Sequence, residues 1–433
     1  MLRAFVNAFK IPDLRKKILF TLAIIAVYRL GSHVPIPVID VKALKADVSG
    51  AGSGNQGFLE FINLFSGGAL TRMAVFALGI MPYITSSIIM QLLVVVIPKL
   101  EQWQKQGEVG IKKITQWTRY MTVTLAILQS TGLVFLFNNQ FSTAAGLPFD
   151  IIPPDKFDAP HIALMVLTLA AGTAMIMWMG ELITQRGIGN GMSILIFTSV
   201  ISRLPQEGAA IYRQTGALKF YVILALALGI ILAVVFIEQG QRRIPVQYAK
   251  RVVGRRMMGG QSTYIPLKVN QAGVIPIIFA SSVLYFPTLL ASAWHWGPFK
   301  TFVDRYLNNS SSAVYLLLYG LLVVFFAYFY TAITFNPVDT ADNIRKYGGF
   351  IPGIRPGRPT ADYLNSILVR ITLPGSLFLA SIALLPSIFL ALYSIPQFPF
   401  GGTAILITVG VALETMKQLE SQLLMRHYEG FLR

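Results

Sequence analysis

The chain contains no cysteine among its 433 residues. Disulfide bonds, iron–sulfur clusters and thiol nucleophiles are therefore excluded. Charged residues are also scarce, at 13% of the chain, which is about half of the fraction usual in soluble proteins. Hydrophobic residues make up 54% of the chain, and its mean hydropathy is +0.61. This composition predicts a polytopic membrane protein.

Acidic residues are few as well, since 19 Asp and Glu stand against 36 Lys and Arg, for a formal net charge of +17. In a soluble protein this balance would favour a nucleic-acid partner, but in a membrane protein basic residues mark the cytoplasmic side. Residues 1–17 are amphipathic and end in a basic triplet, and no small-residue cleavage site follows them. We therefore expect the first apolar run itself to direct the chain to the membrane.

Patterns typical of catalytic or nucleotide sites are also missing from the sequence. The segment 187–191 superficially resembles a phosphate loop, but no Gly-Lys-Ser/Thr follows it and no predicted strand precedes it. Ion-driven transporters usually carry ionisable groups at the membrane midplane. Here Arg29 and His33 lie toward the outer end of the first span, and Glu181 and Glu414 lie toward cytoplasmic ends. We expect no enzyme, cofactor or metal, and a secondary transporter of a small solute stays as the alternative function.

Ten apolar runs are long enough to cross a bilayer, which requires about 20 helical residues. They lie near 17–37, 73–97, 117–138, 161–183, 187–204, 219–239, 271–292, 313–335, 370–394 and 401–419. An even number of spans leaves both termini on one side. Basic residues before the first span, after the second and throughout 242–268 predict that this side is the cytoplasm.

One apolar segment is too short to span. Residues 57–68 offer about ten helical positions between glycines, roughly half of what a bilayer core requires. Such a half-helix is tolerated at membrane depth where protein or a water-filled cavity receives its free backbone groups. The segment therefore indicates a path through the membrane, and a re-entrant or interfacial segment without a transport role is the alternative.

Two cytoplasmic connections, 240–270 and 336–369, are longer than a turn requires. Alternating residues around Ile244, Val246 and Tyr248 predict a short hairpin in the first. Asn336 predicts a capped helix start in the second, and the Pro and Gly residues of 349–357 predict a rigid loop. Ordered loops with exposed arginines favour docking of a partner, although positive-inside topology alone would also explain the sign of their charge.

The spans divide into five, a connection at 205–218, and five more. An odd number of spans in each half makes the second half enter from the opposite side, as in an inverted repeat. We therefore predict an N-terminal half at 1–204, a hinge connection at 205–218 and a C-terminal half at 219–433.

Eight short motifs resemble, in order, those of the SecY/Sec61-alpha family, the channel subunits of the general protein-translocation complex. They are FSGGALTR (65–72), FALGIMPYI (76–84), RGIGNG (186–191), QST (261–263), PLKVN (266–270), AGVIP (272–276), TADN (340–343) and GIRPG (353–357). The resemblance runs from about residue 15 to the C-terminus. A local departure is Met192, where an isoleucine is common.

The resemblance implies an all-α polytopic membrane protein whose ten transmembrane helices form two inverted five-helix halves around a central hourglass pore with a half-helix plug. Ile80 and Ile84 are four residues apart on one predicted helix, and so are Met192 and Ile196 on another, so each pair lies on one face. By resemblance, the constriction ring comprises Ile80, Ile84, Met192, Ile196, Ile275 and Ile407. Ordinary bundle packing is the alternative for any one of them.

By the same resemblance the plug lies within 57–70, with glycines 57, 67 and 68 as hinges. Its residues are Phe58, Leu59, Glu60, Phe61, Ile62, Asn63, Leu64, Phe65, Ser66, Gly67 and Gly68. A lateral gate would part between spans two and three on one side and seven and eight on the other. Thr85, Gln129 and Ser282 are the polar residues that would bridge the closed gate.

Function and partners also follow from the resemblance. The implied function is a channel that moves unfolded secretory polypeptides across the cytoplasmic (inner) membrane and releases transmembrane segments into lipid. The implied partners are the SecE and SecG membrane subunits, the SecA ATPase motor, the ribosome with its rRNA phosphates, signal sequences, nascent polypeptides and membrane lipid. Five basic residues match positions that dock the motor or ribosome, namely Lys250, Arg251, Arg255, Arg256 and Arg355. Arginine suits this role because its planar fork pairs with phosphate or carboxylate.

Overall fold

A computed structural model describes most of the chain. The described residues are 9, 11–39, 63–136, 152–153, 157–248, 251–253, 256–258, 262–293, 297–307, 312–393 and 402–431. Three groups of predicted site residues lie outside these ranges, namely 58–62 of the plug, Lys250 and Arg255.

Helices dominate the described residues. In chain order they are α1 (Pro12–Gly31), α2 (Met81–Val96), α3 (Pro98–Lys105), α4 (Glu108–Leu136), α5 (Ala159–Arg186), α6 (Gly191–Gln239), α7 (Ile275–Ala293), α8 (Gly297–Tyr306), α9 (Ala313–Thr334), α10 (Pro337–Lys346), α11 (Arg358–Tyr393) and α12 (Gly402–Phe431). α6 carries two predicted spans, and Gly216 breaks its helical backbone with φ 78° and ψ 168°. This break lies within the predicted 205–218 connection, whose role as a hinge stays a prediction.

Several of these helices are long and apolar enough to cross a membrane. Within the described part of the chain they are Ala159–Arg186, Gly216–Gln239, Ala313–Lys346 and Arg358–Leu385. Met81–Val96 and Pro98–Lys105 make a fifth if they are counted as one span, although the two are bent by 100°. Gly191–Pro205 and Ile275–Leu284 are shorter apolar helices. The structure therefore supports the prediction, made from composition, that the chain is a membrane protein.

The predicted helix at 73–97 is wrong for its first eight residues. Residues 73–80 form turns and an isolated bridge in which the Val75 amide donates to the Val34 carbonyl at 2.9 Å and the Ile36 amide donates to the Met73 carbonyl at 2.9 Å. Gly79 has φ 57°, a left-handed conformation that ends any helix before it. Pro82 then lies in the first turn of α2, where its missing N–H leaves no helical bond unmade.

The two long connections, 240–270 and 336–369, fold together as one small unit. β1 (Gln241–Tyr248) pairs antiparallel with β4 (Ser262–Lys268) and at its end with β5 (Gly349–Phe350), which comes from the second connection. Ile244 and Val246 are buried in a cluster that also contains Leu267 and residues of α10 and α11. The predicted hairpin is confirmed.

The second connection begins as its sequence predicts. The side-chain oxygen of Asn336 accepts from the Val338 amide at 3.0 Å and from the Asp339 amide at 3.4 Å, which caps α10. The first connection also carries a short antiparallel pair, β2 (Arg251–Val253) and β3 (Arg256–Met258), which forms a separate sheet. Both connections are thus ordered in the described residues.

The helices pack into two large apolar clusters. α4 packs against α2 and α5, α9 packs against α7 and α11, and α6 packs against α12. α7 contacts both α2 and α4, so helices of the predicted C-terminal half meet helices of the N-terminal half there. Ile84 and Val274 contact both clusters and mark where they join.

Candidate pore constriction and plug

The predicted ring residues come from four helices and converge. Ile80 lies just before α2 and Ile84 in its first turn, Met192 and Ile196 lie in the first turns of α6, Ile275 begins α7, and Ile407 lies in α12. Ile80, Met192, Ile196 and Ile407 are buried in one cluster, and Ile84 packs against it. Ile275 packs against the neighbouring cluster, which Ile84 also contacts. The four helices thus bring the six residues into two neighbouring clusters, both of which Ile84 contacts.

The start of α6 is held against α5 by glycine contacts. A Cβ at Gly191 would lie 1.9 Å from the carbonyl oxygen of Gly180, so only glycine permits this approach. The Gly191 amide donates to Thr184 Oγ1 at 2.9 Å. Asn190 then caps α6 by accepting from the Met192 amide at 3.1 Å. The glycine-rich segment 187–191 therefore has a structural role, which is to position Met192 and Ile196.

Ile80 and Ile84 are positioned by the turn before α2. The Ile84 amide donates to the Ile80 carbonyl at 3.1 Å, which places the two side chains one helical turn apart. A Cβ at Gly79 would meet the Phe65 carbonyl oxygen at 2.9 Å, so the segment predicted as the plug lies directly against this turn. Phe65 is fully buried in the same cluster as Ile80, Ile196 and Ile407.

The described part of the predicted plug, residues 63–68, is a short helical segment that ends at two glycines. The Gly68 amide donates to the Asn63 carbonyl at 3.1 Å, and Gly67 and Gly68 have φ values of 63° and 85°. This geometry resembles a Schellman ending, which uses left-handed residues that glycine adopts without strain. Asn63, Phe65 and Ser66 are buried. The two glycines thus occupy the conformations that a hinge at this position requires.

Sequence reasoning missed the contacts that Tyr28 and Arg29 make near the C-terminal end of α1. The Tyr28 hydroxyl is hydrogen bonded to Ser199 Oγ of α6 at 2.6 Å. Arg29 Nη1 donates to the Gly67 carbonyl at 3.0 Å and to Ser202 Oγ at 2.8 Å. A basic residue in an otherwise apolar span is the signal that could have drawn attention to this contact, but its partners are distant in sequence.

The three predicted gate residues lie on the helices that meet between the halves. Thr85 is on α2, Gln129 on α4 and Ser282 on α7. Thr85 Oγ1 donates to the Met81 carbonyl at 2.9 Å, and Ser282 Oγ donates to the Ile278 carbonyl at 2.8 Å. This bonding to the preceding turn is usual for Ser and Thr in apolar helices. Gln129 is buried on α4, and the gate assignment stays a prediction.

The predicted docking residues that fall within the described residues lie in the two long connections. Arg355 is exposed in the loop between β5 and α11, and its carbonyl accepts from Thr360 Oγ1 at 2.8 Å, which ties the loop to α11. Arg251 and Arg256 lie in β2 and β3. Their role in docking stays a prediction.

An acidic residue that could have suited a transporter is already paired. Both Glu181 oxygens accept from Arg119 of α4, at 2.7 Å from Nε and 2.6 Å from Nη2. The bidentate pair joins α4 to α5 and neutralises the carboxylate. Glu181 is therefore occupied in holding two helices together.

Sequence comparison with known proteins shows to which family the chain is related. The sequence profile of the SecY family matches residues 74–416. The protein translocase subunit SecY of Streptomyces galbus is 57% identical over 451 residues, with 100% of each chain covered. That of Mycobacterium bovis is 52% identical over 444 residues, again with 100% of each chain covered.

Two solved structures share the fold at low sequence identity. One is a SecY structure described as showing that the plug domain stabilises the closed state of the translocation channel and maintains a membrane seal, with a TM-score of 0.62, 17% identity and 96% of each chain covered. The other is Sec61 in the canine ribosome-channel complex, with a TM-score of 0.60, 15% identity and 96% of each chain covered. The fold predicted from the sequence is confirmed, and the chain belongs to the SecY family of protein translocase subunits.

Proposed function

We propose that this protein is the channel through which unfolded polypeptides cross the membrane, and that they pass through the ring of Ile80, Ile84, Met192, Ile196, Ile275 and Ile407. Its membership of the SecY family supports a protein-conducting channel rather than an enzyme. The observation that carries the proposal is the convergence of these residues from four helices, with the buried Phe65 of the plug in the same cluster. The comparisons give no support to the small-solute transporter.

An apolar ring suits a channel whose substrates vary in sequence. Such a constriction wets poorly and so resists ions when nothing occupies it. Branched and flexible side chains such as Ile and Met make no directional bonds, so they can yield around a passing chain of any composition. The plug, residues 57–70, adds a second barrier on the outer side of the ring.

Lateral release would take place between α2 and α4 on one side and α7 and α9 on the other. Signal sequences and transmembrane segments would leave through this gate into membrane lipid. The contacts of α7 with α2 and α4 support this position. Polar contacts between spans are worth about 0.6 kcal/mol on average, so Thr85, Gln129 and Ser282 would hold the gate weakly enough for an apolar segment to open it.

Energy for transport would come from partners. We expect the SecA ATPase motor and the ribosome to dock on the unit formed by the two long connections. Arg355 is exposed there in the second connection, and the first connection carries Lys250, Arg251, Arg255 and Arg256. Guanidinium groups would pair there with protein carboxylates or rRNA phosphates. A related channel is ribosome-bound in the canine complex. We also expect SecE and SecG as membrane subunits.

The family and the apolar helices make this a membrane protein. Within that class we propose the cytoplasmic (inner) membrane, with multiple spans and both termini cytoplasmic, because basic residues concentrate at the predicted cytoplasmic ends. We further propose that the halves 1–204 and 219–433 move against each other about the connection at 205–218.

Crosslinking to a stalled precursor tests the proposed path. Because the chain has no cysteine, Ile407→Cys introduces a unique thiol at the proposed ring. A precursor with one cysteine, halted during SecA-driven import into vesicles, should form a disulfide with it. Leu317→Cys on α9 is the matched control, since Leu317 is 75% exposed on the outer surface of the bundle. Equal crosslinking at both positions would refute a path through the ring.

A further inference from the structure

Arg29 is a charged residue near the membrane-spanning part of α1, and its guanidinium points inward. It is only partly exposed. Nη1 donates to the Gly67 carbonyl at 3.0 Å and to Ser202 Oγ at 2.8 Å. A single nitrogen of α1 therefore joins the end of the plug to α6. Hydrogen bonds from a charged donor are about twice as strong as those between neutral groups.

The accepting carbonyl is exposed to Arg29 by the conformation of the glycine pair. Gly67 has φ 63°, which turns the backbone away from the helix at 63–66. A Cβ at Gly67 would lie 3.0 Å from Arg29 Nη1 and 3.1 Å from Ser199 Cα, so a larger residue would disturb the contact and strain the backbone. Carbonyls at a helix end are electron-rich and attract a cation. Arg29 thus binds the plug at its hinge.

Arg29 is itself held on a rigid frame. The neighbouring Tyr28 ring is fully buried and stacks on Phe76, with centroids 5.7 Å apart and planes 9° from parallel. Its hydroxyl is hydrogen bonded to Ser199 of α6. Ser202 Oγ donates to the Ser199 carbonyl at 2.8 Å, so its lone pairs face Arg29. α1 and α6 therefore fix the position of the guanidinium.

We propose that Arg29 is a positioning residue that latches the plug in its closed position by holding the hinge carbonyl of Gly67 against α6. The proposal rests on the proposed function, in which residues 57–70 are the plug. Plug displacement breaks the bond to Gly67, while the bond between Arg29 and Ser202 persists. Loss of the latch shifts the plug toward the open position without removing it.

Arg29→Gln tests the latch, because it removes the charge and keeps a shorter polar side chain. Loss of one charge-assisted hydrogen bond should raise ion leak through resting channels about tenfold in planar bilayers. SecA-driven import of a precursor into vesicles should continue. Arg305→Gln is the matched control, since Arg305 is exposed on α8, and it should leave leak unchanged. Ser202→Ala is a milder change and should raise leak less than Arg29→Gln does. It is the second test of the latch if Arg29→Gln does not fold.

Combination with plug deletion separates the latch from the plug itself. Deletion of 60–70 removes Gly67, so Arg29→Gln should add no further leak in that background. If Arg29→Gln adds the same leak with and without the plug, the latch is overturned. It is also overturned if folded Arg29→Gln and Ser202→Ala channels leak no more than the wild type. If plug deletion alone leaves leak unchanged, that result refutes the assignment of 57–70 as the plug, and it can be told apart from a failure of the latch alone.

Discussion

The ring can be tested by making it polar. Replacing Ile84, Ile196 and Ile407 together with Asn places three hydrogen-bonding groups at the narrowest zone, where Ile196 and Ile407 are 5% and 1% exposed. Each new hydrogen bond to water is worth about 1 kcal/mol, so three stabilise a wetted constriction by about 3 kcal/mol. Since about 1.4 kcal/mol is a factor of ten, wetting should become about a hundredfold more probable. Ion leak in planar bilayers should rise accordingly, and precursor import should persist.

The matched control places the same three changes where they face outward. Ile97, Ile127 and Ile201 are 38%, 43% and 38% exposed. Asn at these positions should lower thermal stability, because a polar group then faces hydrocarbon, and should leave conductance unchanged. Folded and inserted ring variants that leak no more than the wild type would refute the argument that these residues form the seal.

Four further results are expected. Deletion of 60–70 should leave a folded channel that still imports precursor but leaks more ions, because the half-helix is a small part of the bundle; loss of insertion would make the segment structural. Gly191→Ala should destabilise the protein by several kcal/mol, since its Cβ would lie 1.9 Å from a carbonyl oxygen. Gly208→Ala should not destabilise it, because there is open space around Gly208. Thermal melting of both variants in detergent checks this prediction. Arg119→Leu should lower the melting temperature by leaving Glu181 unpaired, at a cost of about 1 kcal/mol because the Arg119 side chain is 43% exposed, and an unchanged melting temperature would show the pair to be dispensable. Arg355→Glu should slow SecA-driven import at physiological salt while insertion is unchanged, and import at the wild-type rate would remove Arg355 from docking.

Local patterns in the sequence predicted the elements that depend on local physics. The alternation of Ile244, Val246 and Tyr248 has the period of a strand, and β1 forms there with Ile244 and Val246 buried. Asn336 has the side chain that caps a helix, and it caps α10. The spacing of Ile80 and Ile84 placed both on one face because four residues make about one helical turn.

Features that depend on distant contacts were not predictable in this way. The contact of Arg29 with Gly67 joins residues separated by 38 positions. Hydrophobic periodicity in the sequence cannot predict such a contact. The turns at 73–80 are hidden within an apolar run, where only Gly79 indicates a break. α11 begins at Arg358, twelve residues before the span predicted at 370, because hydropathy detects only the part of a helix that is apolar and this helix extends beyond it.

A few contacts link the predicted plug, the predicted ring and the proposed docking unit, which is formed by the connections 240–270 and 336–369. Phe65 is fully buried beside Ile80 and Ile407, and exposing a Phe side chain costs about 1.5–3 kcal/mol, so plug and ring stabilise each other. The docking unit reaches the ring through the short connection between β4 and α7. There Asn270 Nδ2 donates to Glu238 Oε2 at 3.0 Å and to the Gly273 carbonyl at 3.1 Å. A partner that docked on this unit and displaced β4 would therefore move Ile275 at the start of α7, and we expect this connection to transmit docking to the proposed constriction.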